Sequence, residues 1–186
     1  MNTFAPCDLP VINGEKVSLR PITREDTGLI VAWRNKPSVY MHFIFRQPFT
    51  REMHENWLAT KVDTGKVIQY MILDKALEKP VGSVYFRDVE PENESAEYGI
   101  FIGEEDYLGR GFGTEAARLF TRFGLDVLKL HRISLRVLGG NAIARRSYEK
   151  AGFVTEGLFR DMVKLDGEYR DVEFMAMLNE EEEEEK

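Results

Sequence analysis

Three glycines alternate in Tyr107-Leu108-Gly109-Arg110-Gly111-Phe112-Gly113-Thr114, between a strand-like stretch and a helix-like one. Alternating glycines let the backbone bend until several N–H groups face one point. The helix start behind them adds the positive end of its dipole, so the turn suits an anion such as a pyrophosphate. Two known phosphate loops are excluded. A Walker loop ends Gly-Lys-Ser/Thr, whereas this run ends Gly113-Thr114-Glu115. The dinucleotide fingerprint places its third glycine three positions after the second, and here Gly113 comes one residue early. On their own the glycines fit a ligand-free turn equally well.

The surroundings of the loop decide more. Val17 to Ile22 alternates like a strand, and Thr23 can cap a helix through Ile30, Val31 and Trp33 that breaks before Pro37. Thr50 can cap a second short helix with Met53, Trp57 and Leu58. Val67 to Leu73, Val81 to Phe86 and Ala96 to Ile102 predict an antiparallel meander. Gly113 to Leu130 predicts a helix, with Ala117, Phe120, Phe123 or Gly124, and Val127 on one face. Alternation in Arg132 to Val137 marks a strand, and Asn141 caps a helix over Ala142 to Ala151 that Gly152 stops. Two strands, Phe153 to Leu165 and Tyr169 to Leu178, flank the hairpin pair Asp166-Gly167. The order β-α-α-β-β-β-α-β-α-β-β predicts an α+β fold: a mixed, mostly antiparallel twisted sheet flanked by helices.

Composition sets the bounds. A chain of 186 residues with 43% apolar and 31% charged content suits one folded domain, expected over residues 1–179. The net charge of −7 comes largely from Glu180 to Glu185; without these and Lys186, 24 basic against 26 acidic residues leave −2. Residues 180–186 are therefore expected to be a disordered acidic tail. The body has no basic stripe, which speaks against nucleic-acid binding. The single cysteine, Cys7, excludes a disulfide framework. The start lacks a signal-peptide pattern, and no run of about 20 apolar residues is present to span a bilayer, so a soluble cytoplasmic protein is expected. His42, His54 and His131 lack metal-ligand spacing, so no metal is expected.

Two separated stretches, Gly109-Arg110-Gly111-Phe112-Gly113-Thr114-Glu115-Ala116 and Asn141 through Tyr148 to Gly152-Phe153, resemble the motifs of the GNAT superfamily of acyl-CoA N-acetyltransferases. Leu108 departs from the residue usual at its position, which only shapes the loop. The segment from Gly157 to Asp171 is similar to three branches, acting on ribosomal-protein N-termini, spermidine or amino sugars. Trp33-Arg34-Asn35, with Met41 and His54, looks most like the amino-sugar branch.

The resemblance implies the GNAT fold and acetyl-CoA as cofactor. It places coenzyme A on Leu108, Gly109, Arg110, Gly111, Phe112, Gly113 and Thr114, with Asn141, Ala144 and Ser147 beside it. Its pantetheine arm would pair like an extra strand with Ile100, Phe101 and Ile102. Tyr148 is the implied acid for the departing thiolate, because a phenol stays protonated at neutral pH; a tyrosine packed on a helix face is the alternative. Glu97, 14 residues ahead of Gly111 (111 − 97), is either a base or a strand carboxylate holding a substrate ammonium or a neighbouring arginine. Trp33, Arg34, Tyr40 and His54 are the implied acceptor contacts, although a surface histidine also accounts for His54. The aromatic cluster Tyr40, Phe43, Phe45, Phe49 and Trp57 lines either an acceptor pocket or a core.

The expected reaction is acetylation of a primary amine by direct attack in a ternary complex. The acceptor is an amino sugar nucleotide or a protein N-terminus, with spermidine as the alternative; a homodimer is a possible assembly. A non-catalytic acyl-CoA-binding module and a plain ATP-binding protein are the competing readings, the second lacking the loop lysine it needs.

Overall fold

The computed structural model describes residues 9–44 and 46–179. Cys7, Phe45 and the acidic run from Glu180 onward, with the expectations attached to them, lie outside these residues. Apolar alternation gathers eight strands into one sheet: β1 (Ile12–Asn13), β2 (Val17–Pro21), β3 (Ile68–Asp74), β4 (Lys79–Glu90), β5 (Ser95–Ile102), β6 (Arg132–Leu138), β7 (Val154–Leu165) and β8 (Glu168–Leu178). Their spatial order is β1-β2-β3-β4-β5-β6-β8-β7. Every neighbouring pair is antiparallel except β5 and β6. These two are joined by a crossover helix, as parallel neighbours require. The mixed, mostly antiparallel sheet expected from the element order is the one observed.

The crossover helix is α4 (Phe112–Asp126), which packs on one face of the sheet. Phe112, Ala116, Ala117, Phe120 and Phe123 recur at helical spacing and are buried. Phe120 stacks on Phe86 of β4 with ring centroids 4.3 Å apart. Each such fully buried ring contributes about 1.5–3 kcal/mol through the area removed from water. Gly124 lets helix and sheet approach closely, since a Cβ there would lie 2.7 Å from Phe86 Cζ. The helix stops four residues before the expected Leu130. Lys129 turns to φ 58°, and the N–H groups of Leu128 and Leu130 donate back to Phe123 and Gly124. Val127, expected on the buried face, is consequently exposed.

The other face carries α1 (Thr27–Arg34), α2 (Pro37–Tyr40) and α3 (Arg51–Trp57), packed around Ile22, Ile30, Trp33, Met71 and Phe101. Thr23 does not open α1 directly: a short 3-10 turn, Arg24–Asp26, intervenes, with Asp26 accepting from Thr23 N and Thr23 Oγ1. Pro37 ends α1 as expected, but it also starts α2, where a first-turn proline forfeits no hydrogen bond. Thr50 caps α3 by accepting from Met53 N at 3.2 Å. The last helix, α5 (Ala142–Ala151), has the bounds expected for it, from the Asn141 cap to left-handed Gly152.

One feature of the sheet positions the site. The parallel pairing of β5 with β6 lasts three residues, Ser95↔Arg132, Ala96↔Ile133 and Glu97↔Ser134. Beyond Glu97 the strands diverge: β6 continues along β8, while residues 98–102 have no strand partner on that side among the described residues. The start of α4 and the middle of α5 are tied together beside this opening by Thr114 Oγ1 and Ser147 Oγ, 2.8 Å apart.

Candidate active site

The glycine loop closes one end of the opening. Gly109 (φ 71°) and Gly111 (φ 87°) adopt left-handed backbone that disfavours any Cβ. A Cβ on either would meet nothing within 4 Å, so the space before the loop is open. No side chain caps α4, and its first-turn N–H groups have no partner within the helix. Ile102 Cγ1 lies 3.7 Å from where a Cβ on Gly113 would sit, which brings the free edge of β5 against the loop. A cluster of unused N–H groups leading into an unpaired strand edge fits an anionic head with an amide-bearing arm. Coenzyme A is such a molecule, and the residues present fit it. Phe112 is buried against Tyr107 and can offer only its backbone, while Arg110 is exposed, its guanidinium 5.4 Å from the Tyr107 ring. Leu108 is exposed; Asn141 and Ala144 are half-buried, and the Asn141 side chain accepts from Ala144 N at 3.2 Å.

Tyr148, on α5, is half-buried and meets Tyr98 and Phe153 edge-on, with centroids 6.2 and 6.0 Å away. Burial, with a smaller contribution from Tyr85, pushes its phenol up. The group therefore keeps its proton at neutral pH, as a donor must.

Glu97 is placed differently from a free base. Its Oε1 accepts from Arg87 Nη2 and from Arg136 Nε at 3.1 Å, and its Oε2 accepts from Arg136 Nη2 at 2.9 Å. Both oxygens are committed to guanidiniums, which matches the arginine-holding reading of this residue. Glu97 thereby links β4, β5 and β6 at the point where the parallel pair separates.

On the sheet face away from α4 lies a cavity of about 170 Å³ between α1, α3 and strands β3 to β5. Ile30, Phe43, Phe49, Trp57 and Phe101 form its apolar walls, and Arg34, His54, Gln69, Tyr85 and Arg87 its polar ones. Arg34 stacks over Phe43 and Phe49, 3.8 and 4.7 Å from the ring centroids. Gln69 is fixed, accepting from Trp57 Nε1 at 2.9 Å and donating to Ser83 Oγ at 3.0 Å. Tyr85 faces this cavity and lies opposite Gly99 of β5. It thus sits where the cavity meets the unpaired stretch of that strand.

Of the four expected acceptor contacts, Arg34 lines the cavity directly. Trp33 does not: it is 1% exposed, packs on Phe101 and donates its indole N–H to Glu104 at 2.6 Å, because its helical spacing from Ile30 turns it into the core. Tyr40 is half-buried at the end of α2 and outside the cavity lining. His54 is no surface histidine. It is 1% exposed, with Nδ1 3.0 Å from Thr27 Oγ1 and Nε2 without a partner, and burial holds its pKa down to about 4. Phe101, expected beside the cofactor, turns its ring to the opposite face and into the cavity wall.

Tyr85, Arg87 and Arg136 were not anticipated from the sequence. Alternation along Ser83, Tyr85 and Arg87 puts three polar residues on one face of β4, a signal that a meander flanked by helices on both sides makes available. Among the described residues no three His, Cys, Asp or Glu side chains gather to hold a metal, and no helix is long and apolar enough to cross a membrane.

Residues 16–154 match the sequence model of the Acetyltransferase (GNAT) domain family. The chain is 30% identical over 158 residues to spermidine N(1)-acetyltransferase of Escherichia coli K12, covering 85% of this chain and 83% of that one. It is 28% identical over 131 residues to the putative ribosomal N-acetyltransferase YdaF of Bacillus subtilis, covering 70% and 69%. A structure of the Vibrio cholerae spermidine N-acetyltransferase in complex with CoA and spermine shares the fold, with TM-score 0.82 at 24% identity over 89% of this chain and 97% of that one. The split parallel pair, the open glycine loop and these matches agree: the chain belongs to the GNAT family of acetyl-CoA-dependent N-acetyltransferases.

Proposed function

We propose that the enzyme acetylates a primary amine bound in the cavity between α1, α3 and β3 to β5, the acceptor being an amino sugar nucleotide or a protein N-terminal amine. The observation that carries this reading is the position of Tyr85, which lines the cavity and lies across Gly99 on the unpaired stretch of β5. Acetyl-CoA supplies an activated acetyl thioester. The N–H groups from Gly109 to Thr114 hold the pyrophosphate, and the free edge of residues 98–102 orients the arm. A backbone N–H on that edge would be the donor available to charge developing on the carbonyl oxygen. Tyr148, protonated at neutral pH, donates to the leaving sulfur. Glu97 acts as a positioning residue through Arg87 rather than as the base, so water carries the proton from the amine.

A polyamine acceptor is the second reading, favoured by the names of several relatives. Release of free coenzyme A from acetyl-CoA against a panel of amines tests both. The panel holds a 4-amino-4,6-dideoxy sugar nucleotide, spermidine, and peptides with free Ala or Ser N-termini. Turnover with the sugar nucleotide or a peptide supports the first reading, and turnover with spermidine alone replaces it with the second. Silence throughout, with acetyl-CoA still raising Tm, leaves a binding module.

A further inference from the structure

The acceptor cavity has a charge that its relatives' polyamine substrates do not match. Its lining contains two guanidiniums, Arg34 and Arg87, and no carboxylate. Arg34 is half-buried and stacked on two aromatic rings, and the ionisable groups that share the cavity lining with it are His54, Tyr85 and Arg87, with no acid among them. Burial pulls this guanidinium down and Arg87 adds to that; Tyr85 and the faces of the Phe43 and Phe49 rings offset it, and no carboxylate of the lining does.

The acids nearby are committed elsewhere. Glu97 is shared between Arg87 and Arg136, so Arg34, Arg87 and Arg136 against Glu97 and Asp88 leave a local balance of +1 (3 − 2). Asp88 is 75% exposed and reaches Arg87 Nε only at 3.9 Å. Asp26, whose charge acts on His54, is held by Arg20 through two hydrogen bonds of 2.6 and 2.8 Å. Two buried nitrogens of the lining, His54 Nε2 and Arg87 Nε, have no hydrogen-bond partner. Buried polar groups are almost always satisfied, so a cavity edged by the unpartnered Arg87 Nε–H and the Arg34 guanidinium is shaped for a ligand that supplies acceptor oxygens.

We propose that Arg34, with Arg87, binds an anionic group of the acceptor, so that the substrate is an amine carrying a phosphate or carboxylate. This rests on the cavity being the acceptor site, as in the preceding subsection. A polycation meets the same two guanidiniums as repulsion. Within the proposed acceptors it favours the sugar nucleotide over an uncharged N-terminus.

The test compares acceptors that differ only in the anion: glucosamine 6-phosphate against glucosamine for a phosphate, and serine against ethanolamine for a carboxylate, with spermidine beside them. Coenzyme A release is measured for wild type, Arg34→Gln and Arg34→Lys. A charge-assisted hydrogen bond predicts that the anionic member of at least one pair has a kcat/KM roughly 10–100-fold higher, and that Arg34→Gln removes this advantage while Arg34→Lys keeps part of it. Independently of turnover, millimolar inorganic phosphate without acetyl-CoA should raise the Tm of wild type more than that of Arg34→Gln; phosphate on the glycine loop would shift both alike.

Neutral amines or spermidine turned over as fast as the anionic ones, or equal phosphate shifts in the two proteins, would overturn the proposal. Should Arg34→Gln fail to fold, the wild-type pairs decide by themselves. If no amine releases coenzyme A, the transfer reading fails separately, and the phosphate shift alone upholds or rejects the anion site.

Discussion

Tyr85 lies across Gly99 so closely that a Cβ on Gly99 would sit 2.3 Å from Tyr85 Cζ and 2.5 Å from its hydroxyl oxygen. The two residues face each other in the β4–β5 register, and the missing side chain of one makes room for the ring of the other. We predict that Gly99→Ala pushes Tyr85 out of the cavity. Overpacking of this kind costs about 1–3 kcal/mol of stability, visible as a lower urea midpoint, and kcat/KM for the amine should fall more than in Tyr85→Phe. A Gly99→Ala enzyme with wild-type stability and activity would show that the ring has another place to go.

Tyr148→Phe removes the proposed proton donor and leaves the packing against Tyr98 and Phe153 in place. The expected loss in kcat is roughly 10²–10⁴-fold, with the acetyl-CoA-induced rise in Tm retained. A variant turning over at the full rate would reduce Tyr148 to a wall of the helix.

Gly111→Val is aimed at cofactor binding. The position has φ 87° and open space around it, so the substitution costs strain of about 1–3 kcal/mol and projects a branched side chain towards the bound anion. The thermal shift given by acetyl-CoA should disappear while the folded state, followed by circular dichroism, persists. An unchanged affinity by calorimetry would remove the loop from the cofactor site.

His54 links stability to pH. Its folded pKa of about 4 lies below the unfolded reference of 6.5, so between these values the unfolded chain binds more protons than the folded one. Stability should therefore be full above pH 6.5 and fall as pH drops towards 4, by up to about 3 kcal/mol from this group. Urea titrations between pH 5 and 7 avoid the carboxylate range, and His54→Gln should flatten the slope there. A slope that survives in the variant assigns it to other groups.

What the sequence disclosed and what it hid divide by range. Asn141, Gly152 and the pair Asp166-Gly167 act within a few residues of themselves, and the elements they bound came out as read. The separation of β5 from β6 depends on strands 37 residues apart, Ser95 to Arg132, and no local pattern announces where such a pairing ends. Trp33 differs from its expected place for a related reason. It sits on a short helix whose buried side is fixed by the sheet beneath, so its indole N–H was a poor guide to where the ring packs. Arg34, next to it on α1, lines the cavity, and so does the buried His54 of α3.

A split plank stops opening at whatever crosses it at the root. In this sheet the crossing is the Glu97 carboxylate, pinned to Arg87 on one side and Arg136 on the other, at the last paired residue before β5 and β6 part. The width of the slot is thereby governed by an ionic rivet outside it as well as by the residues along it. Charge changes at these three positions would alter how the slot gapes without touching anything that lies within it.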